Sequence, residues 1–279
     1  MRLFKYTNHY GVNVLRDLQL KVTPPNELND PFEFSPYFSG KVTQEHVVER
    51  MKSFTPRQFY DEMVKAGNKL PPFEQYELDL RRKAPLLLKH GVQGLQQSYE
   101  KLAAAHLDWI SKKMGLVCLS EEGNHVLLWS HYTDGHKGMV LEFDTAHEYF
   151  KQFSKFQKVK YSEKRVPIDF TLPTTDSELE EEVRNVIYTK NTCWAYENEW
   201  RSLFLLEQCH QKLDDRNIQK TLYSTDIPSD LMKNVYLGFR CPLEVQNKVA
   251  AAKKDRNLPF TLFKAFLHPR EFRVEYKAM

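Results

Sequence analysis

At 279 residues, with 41% apolar and 13% aromatic side chains, the chain can bury a sizeable core in one large domain or one domain with an insertion. Lysine plus arginine exceed aspartate plus glutamate by only 40 to 37, so the formal charge of +3 does not mark a nucleic-acid binder, although a local basic patch stays open. No run of about 18 apolar residues occurs, which predicts no helical membrane span, and the start from Met1 to Tyr6 lacks the apolar stretch of a signal peptide.

In chain order, Leu3–Thr7 reads as a first strand, Val12–Leu18 as a short helix and Leu20–Thr23 as a second strand. Pro24–Pro31 is a stiff loop whose prolines fix φ and whose Asn and Asp side chains can bond nearby backbone; it either braces a sharp exit or presents Asn29 and Asp30 to a ligand. From about residue 43 to 113 the pattern turns helical. Its amphipathic stretches, Gln44–Lys52, Pro56–Ala66, Gln75–Lys89 and Gly94–Lys113, are divided by proline or glycine. This region is charged and sparse in chemistry, and is expected to be structural or to bind a protein partner. Strand character returns at Gly115–Ser120, followed by a turn at Glu121–Asn124, a short helix over Val126–Tyr132, and strands at Gly138–Phe143 and Val159–Tyr161. A helix is predicted over Ser177–Lys190 with Ser177 as its N-cap. Val235–Arg240 reads as a strand, Pro242–Arg256 as a helix, and Phe260–Leu267 with Phe272–Tyr276 as a closing strand pair. The pattern predicts a single α+β domain over residues 1–279, with a mixed, mostly antiparallel sheet and a helical insertion or cap at about 43–113.

Cys118, Cys193, Cys209 and Cys241 are widely spaced with no Cys-x-x-Cys pair. A zinc site is not expected, and three of the thiols read as buried in a reducing, cytoplasmic setting.

The chemistry concentrates in two segments. The octet from Trp194 to Arg201 places Glu197, Glu199 and Arg201 two apart, so on an extended strand all three share a face while Trp194, Tyr196 and Trp200 flank them or point away. Such a row can do acid/base work or grip a ribose; it can equally be a charged strand face on which Arg201 pairs with Glu199. The second segment, Trp129 to Gly138, offers His131 or His136 as acid/base and Ser130 and Tyr132 as ligand contacts. Its alternative reading is Trp129 and Tyr132 as core, His131 bonded to backbone, and Gly135 and Gly138 as turn residues.

In combination these pieces resemble a bacterial family catalogued as domain of unknown function 2971. The likeness is carried by Leu3 to Tyr6, Asn29 to Glu33, Cys118 to Ser120, Trp129 to Gly138, Tyr196 to Arg201 and Leu237-Gly238, in order across nearly the whole chain. It implies a bacterial protein with relatives linked to abortive infection and phage defence, and it brings no established reaction. A more distant analogy is to ADP-ribosyltransferases, which combine a first-strand His or Arg, a second-strand Ser or Tyr and a Glu preceded two residues earlier by Gln or Glu. Glu197-Asn198-Glu199 is similar to the last element; Lys5 or Tyr6 would stand for the first and Thr23 for the second. The analogy implies NAD as substrate. Glu199 would hold the ribose hydroxyl and stabilise an oxocarbenium-like state, Glu197 would orient or deprotonate the acceptor, and Tyr132 or Trp200 would stack on nicotinamide.

Two classes of function therefore compete. One is an enzyme acting on a nucleotide or nucleic acid, by ADP-ribosyl transfer, NAD hydrolysis or, with Asp30, Glu33, Glu197 and Glu199 as metal-binding carboxylates, as a nuclease. The other is a non-catalytic sensor or interaction module in which the polar motifs brace loops, a reading that a buried Glu199–Arg201 pair would favour. Both segments are predicted to meet in one cleft, joined by Asn29 and Asp30, with Glu199, Glu197, Arg201 and His131 as the catalytic candidates.

Overall fold

A computed structural model describes residues 1–51, 56–151, 156–171, 175–214 and 217–279. The first half of the chain forms β1 (Arg2–Thr7), α1 (Gly11–Asp17), β2 (Gln19–Val22), β3 (Tyr37–Phe38), α2 (Gln44–Met51), α3 (Pro56–Lys65), α4 (Phe73–Ser111), β4 (Met114–Ser120), α5 (Val126–Tyr132) and β5 (Met139–Asp144). The second half adds α6 (Glu148–Lys151), β6 (Gln157–Lys158), β7 (Lys160–Ser162), β8 (Pro167–Ile168), α7 (Asp176–Tyr188), β9 (Thr189–Asn191) and β10 (Glu199–Leu205). It closes with β11 (His210–Asp214), β12 (Asn217–Asp226), β13 (Met232–Leu237), α8 (Leu243–Asp255), β14 (Thr261–Leu267) and β15 (Val274–Ala278). The fold is α+β. Contacts group the chain into two compact units, residues 1–34, 107–164 and 187–279 in one and 35–106 with 165–186 in the other.

The first unit is built on a sheet with strand order β15-β14-β13-β5-β1-β4-β10-β6, antiparallel except for the β13–β14 pair. Alternation along the strands sends successive side chains to opposite faces. Leu3, Val117, Leu119, Leu141 and Phe143 join one cluster with Leu15 and Val249, from α1 and α8. Tyr6, Val140 and Tyr236 join a second cluster with Leu128 and Trp129 of α5. Where β4 and β10 run together, Leu116, Cys118 and Leu203 meet Phe34, Ile110 and Ile187 in a third.

One detail of this sheet positions the site. β1 stays in register with β5 along its whole length, but it pairs with β4 only at Phe4–Ser120. Farther along β4, Leu116 instead exchanges both backbone hydrogen bonds with Thr23, at 2.8 and 2.9 Å. Beyond Phe4 and Ser120 the strands β1 and β4 therefore part, and side chains rather than a ladder fill the gap.

The second unit holds α2, α3, the parallel β3–β8 pair, and most of α4 and α7. Phe38 packs against Tyr99 and Phe170, with ring centroids 5.2 and 5.9 Å apart. The two helices expected at Gln75–Lys89 and Gly94–Lys113 are one, because Gly91 and Gly94 weaken a helix without breaking it and α4 runs through Pro85 as well. Lys52, the predicted end of the preceding helix, lies outside the described residues.

Three further expectations are corrected. The N-cap of α7 is Thr175 rather than Ser177: its hydroxyl accepts from the Glu178 amide while the Glu178 carboxylate accepts from the Thr175 amide at 2.8 Å, a reciprocal capping box. That helix ends at Tyr188, so Lys190 lies on β9, paired parallel to β7 at Tyr161. Of the cysteines only Cys241 is buried, and Cys193 is exposed. The β11–β12 pair, continued by β2, had no counterpart in the sequence reading.

Candidate functional site

Glu199 and Arg201 point to the same side of β10, as strand alternation requires, while Trp200 points to the other. Glu197 reaches them by a different route from the one expected. It ends a 3-10 turn, and Asn198, with φ of 43°, occupies the left-handed region before the strand begins. That reversal aims both carboxylates at the ammonium of Lys190, which donates to Glu197 Oε2 at 2.7 Å and to Glu199 Oε2 at 2.9 Å. A third carboxylate arrives from the loop before β3. Phe34, at φ of 57°, turns the backbone so that Glu33 Oε1 lies 3.2 Å from Lys190 Nζ and Glu33 Oε2 accepts from Arg201.

The result is a buried ion network. Arg201 is fully buried; it donates to Glu199 Oε1 at 2.8 Å, to Glu33, and to the Ile187 carbonyl at 2.6 Å, with its guanidinium 5.6 Å from the Phe34 ring. Three carboxylates face two cations, so the cluster carries one surplus negative charge when all are ionised. Burial pushes Glu33 and Glu197 above the usual carboxylate range. Burial acts on Glu199 too, but Arg201 and Lys190 outweigh it and hold that carboxyl far below its ordinary value. Proton exchange in the cluster thus belongs to Glu33 and Glu197, whereas Glu199 stays ionised.

The network forms one wall of a half-enclosed cavity of about 240 Å³. Glu33, Lys190, Glu197 and Glu199 line it, with Lys5 and Tyr6 from β1, Lys21 and Thr23 at the end of β2, Asn29, and Tyr132 at the end of α5. Tyr132 ties the two chemistry-bearing segments together: its hydroxyl donates to Glu197 Oε1 at 2.5 Å and accepts from the Asn29 side chain at 3.0 Å. Burial, then the Glu197 charge, raises this phenol well above its ordinary value, so it remains a donor. Lys5 fills the gap between β1 and β4, donating to the Cys118 carbonyl at 3.0 Å.

Not every expected residue takes part. Tyr6 lines the cavity, but its hydroxyl is committed to the Glu122 carbonyl at 2.7 Å. Asp30 is buried outside the lining; its Oδ1 accepts from the Phe32 amide at 2.9 Å, which makes it a turn residue. His131 is exposed and meets the edge of Trp194, 6.4 Å away. Trp200 stacks on Phe156 at 5.5 Å and donates to Glu121 on the opposite side of the sheet. Lys190 was the residue that sequence reasoning missed, because it sat at the end of a predicted helix with no motif around it. Among the described residues no group of His, Cys, Asp or Glu is placed to hold a metal ion. Where Glu33, Glu197 and Glu199 converge, the Lys190 ammonium takes the position a bound cation would need.

Fold and site define an α+β chain whose central sheet opens onto a cavity backed by a buried five-residue ion network. Residues 128–202 match the model of a family described as Protein of unknown function (DUF2971). The matched stretch carries Tyr132, Lys190, Glu197, Glu199 and Arg201, and stops short of β1, Asn29 and Glu33. No curated protein and no solved structure matches the chain. Among the described residues, no helix is long and apolar enough to cross a membrane.

Proposed function

We propose that the chain is an enzyme acting on a nucleotide-class substrate in this cavity, with NAD as substrate and ADP-ribosyl transfer or NAD hydrolysis as the reaction. The observation that carries the reading is the state of Glu197. An ionised carboxylate has about four acceptor positions. Tyr132 and Lys190 use two of those on Glu197, leaving two open for a ribose diol. On Glu199 three bonds from Arg201 and Lys190, with the Cys118 thiol, fill all four. The hydroxyl-holding role that the ADP-ribosyltransferase analogy gives to Glu199 therefore passes to Glu197, with Glu199 keeping the cations in place. A cavity of about 240 Å³ falls below the roughly 300–1,000 Å³ of pockets that enclose a drug-sized ligand, so one nucleoside-sized half of NAD enters and the rest stays outside.

Purified protein incubated with NAD is expected to release nicotinamide. Glu197→Gln, which keeps shape but removes the charge, is expected to lower that rate by about 10²-fold or more while the protein stays folded. Absence of release together with absence of a thermal shift on adding NAD overturns the reading. A bacterial, cytoplasmic setting, a place in abortive infection or phage defence and a protein partner for the helical region are supported only by the resemblance and by composition.

A second reading, a non-catalytic sensor or interaction module, is favoured by the buried Glu199–Arg201 pair. On that reading Glu199→Gln acts through stability and no substrate turns over.

A further inference from the structure

Charge is divided unevenly between the walls of the cavity. The ion network on the β9 and β10 side sets three carboxylates, Glu33, Glu197 and Glu199, against the two cations Lys190 and Arg201. The side built from β1 and β2, separated from β10 in the sheet by β4, carries the opposite surplus. There Lys5, Lys21 and, outside the lining, Lys220 share one carboxylate, Glu27, which lies 3.1 Å from Lys21 and 3.0 Å from Lys220. Five cations thus face four carboxylates, and the excess sits on the lysine side.

Lys5 itself has no carboxylate partner. Among the described residues its Nζ meets one acceptor, the Cys118 carbonyl at 3.0 Å, so two of the ammonium's three donors stay open. The Thr23 hydroxyl lines the same cavity and bonds to no described residue. Both side chains stand on fixed backbone: β1 is in register with β5 along its length, and Thr23 is held to Leu116 by both of its backbone hydrogen bonds.

We propose that Lys5, Lys21 and Thr23 form a phosphate subsite, and that the cavity takes a ribose 5-phosphate unit with its diol on Glu197 and its phosphoryl group on these three side chains; this rests on the nucleotide reading of the cavity and names the part of the nucleotide that enters. Ribofuranose carries its 2,3-diol and its 5-phosphate on opposite faces of the ring. That layout matches one wall with open carboxylate acceptors and another with open cationic donors. The donor count favours phosphate over carboxylate. Lys5 offers two N–H groups, Thr23 one hydroxyl and Lys21 two N–H groups beyond the one given to Glu27, against three terminal oxygens on a phosphate monoester and two on a carboxylate. Burial and the Lys21 charge both lower the Lys5 pKa, and Glu199 opposes them without reversing the shift, so an anion arriving here offsets a charge that the protein leaves undercompensated. A cavity of about 240 Å³ also suits a sugar phosphate better than a drug-sized ligand.

The test is an NMR titration of the whole chain with ribose 5-phosphate and with ribose at pH 7. Ribose 5-phosphate is expected to bind about tenfold or more tightly, the size of one charge-assisted hydrogen bond. Lys5→Gln, which removes the charge, should erase that advantage and leave the affinity for ribose unchanged, and Thr23→Val should reduce it in part. Lys5→Arg, which keeps the charge, should retain most of it and so separates loss of the subsite from loss of the fold. Inorganic phosphate should compete with ribose 5-phosphate, whereas acetate at the same concentration should not. Equal affinity for the two sugars, an advantage that survives Lys5→Gln, or equal competition by acetate and phosphate overturns the proposal. Nicotinamide release from NAD keeps this claim apart from the reading it rests on. The expected binding pattern without any release leaves the subsite standing and rejects the transferase reading. Release with a KM for NAD unchanged in Lys5→Gln rejects the subsite alone.

Discussion

Arg201 is the residue on which the site's stability turns. It is fully buried and satisfies two carboxylates and a carbonyl, so Arg201→Met, which leaves three buried carboxylates with Lys190 alone of the network's two cations, is expected to cost about 3–5 kcal/mol, measured as a drop in urea midpoint at unchanged slope. Glu199→Gln should fall in the same range, for it sets an amide NH₂ where an oxygen accepts from Arg201 or Lys190, even though two carboxylates then balance two cations; a loss below about 1 kcal/mol would mean that the network is not what holds this end of the sheet. A separate test of burial comes from His136. Its ring stacks on Trp129 at 5.9 Å, and burial, then nearby Arg240, lowers its pKa from 6.5. The folded state therefore binds fewer protons there than the unfolded state, so this contribution to stability is intact above about pH 6.5 and is lost as pH falls through the lowered folded value. His136→Asn tolerates the backbone φ of 68° and removes the titration. The difference in unfolding free energy between wild type and variant should then change between pH 7 and pH 5, and a flat difference would reject the assignment.

Among the elements, the short connections decide more than the regular runs. Asn198 is where a turn becomes β10, and its left-handed backbone brings Glu197 and Glu199 onto one lysine. Asn198→Gly is expected to keep that geometry and lose mainly the side-chain hydrogen bond to Glu122, whereas Asn198→Val, strained at positive φ, should cost at least about 1–2 kcal/mol more. Two glycines make the same point from opposite sides. A Cβ at Gly138 would sit 2.1 Å from the Thr7 carbonyl oxygen, so Gly138→Ala must displace backbone and should cost about 1–3 kcal/mol or more. At Gly94, inside α4, nothing lies within 4 Å, and alanine there should stabilise by about 0.5–1 kcal/mol. Thermal unfolding of the two variants should move in opposite directions. The sequence marked Gly138 as a turn residue, but the close approach that makes it indispensable comes from β1, more than 100 residues away.

Across the whole molecule, the two units differ in how local their contacts are. The first is assembled from three separated segments, with β1 paired to β4 and β5 over more than 100 residues, whereas the second holds the long helices. Long-range pairing slows folding because loop closure comes before the contacts that reward it. All four tryptophans belong to the first unit. After dilution from denaturant, far-UV ellipticity should therefore recover ahead of tryptophan fluorescence; coincident recovery would indicate one cooperative transition.

Periodicity and residue type determined that this chain is α+β, where most helices and strands run, and that polar side chains gather in Trp129–Gly138 and Trp194–Arg201, since apolar spacing and residue type are local properties. They also placed Glu199 and Arg201 on one face, because strand alternation is a local rule. Only the tertiary structure decided which charges meet. Lys190 could be recruited because its helix stopped two residues early and the next strand paired with β7. Glu33 joined through a left-handed turn, Trp200 was sent to the opposite side of the sheet, and His131 was left at the surface. Ion pairing depends on distances between segments far apart in the chain, and no spacing within a single segment encodes them.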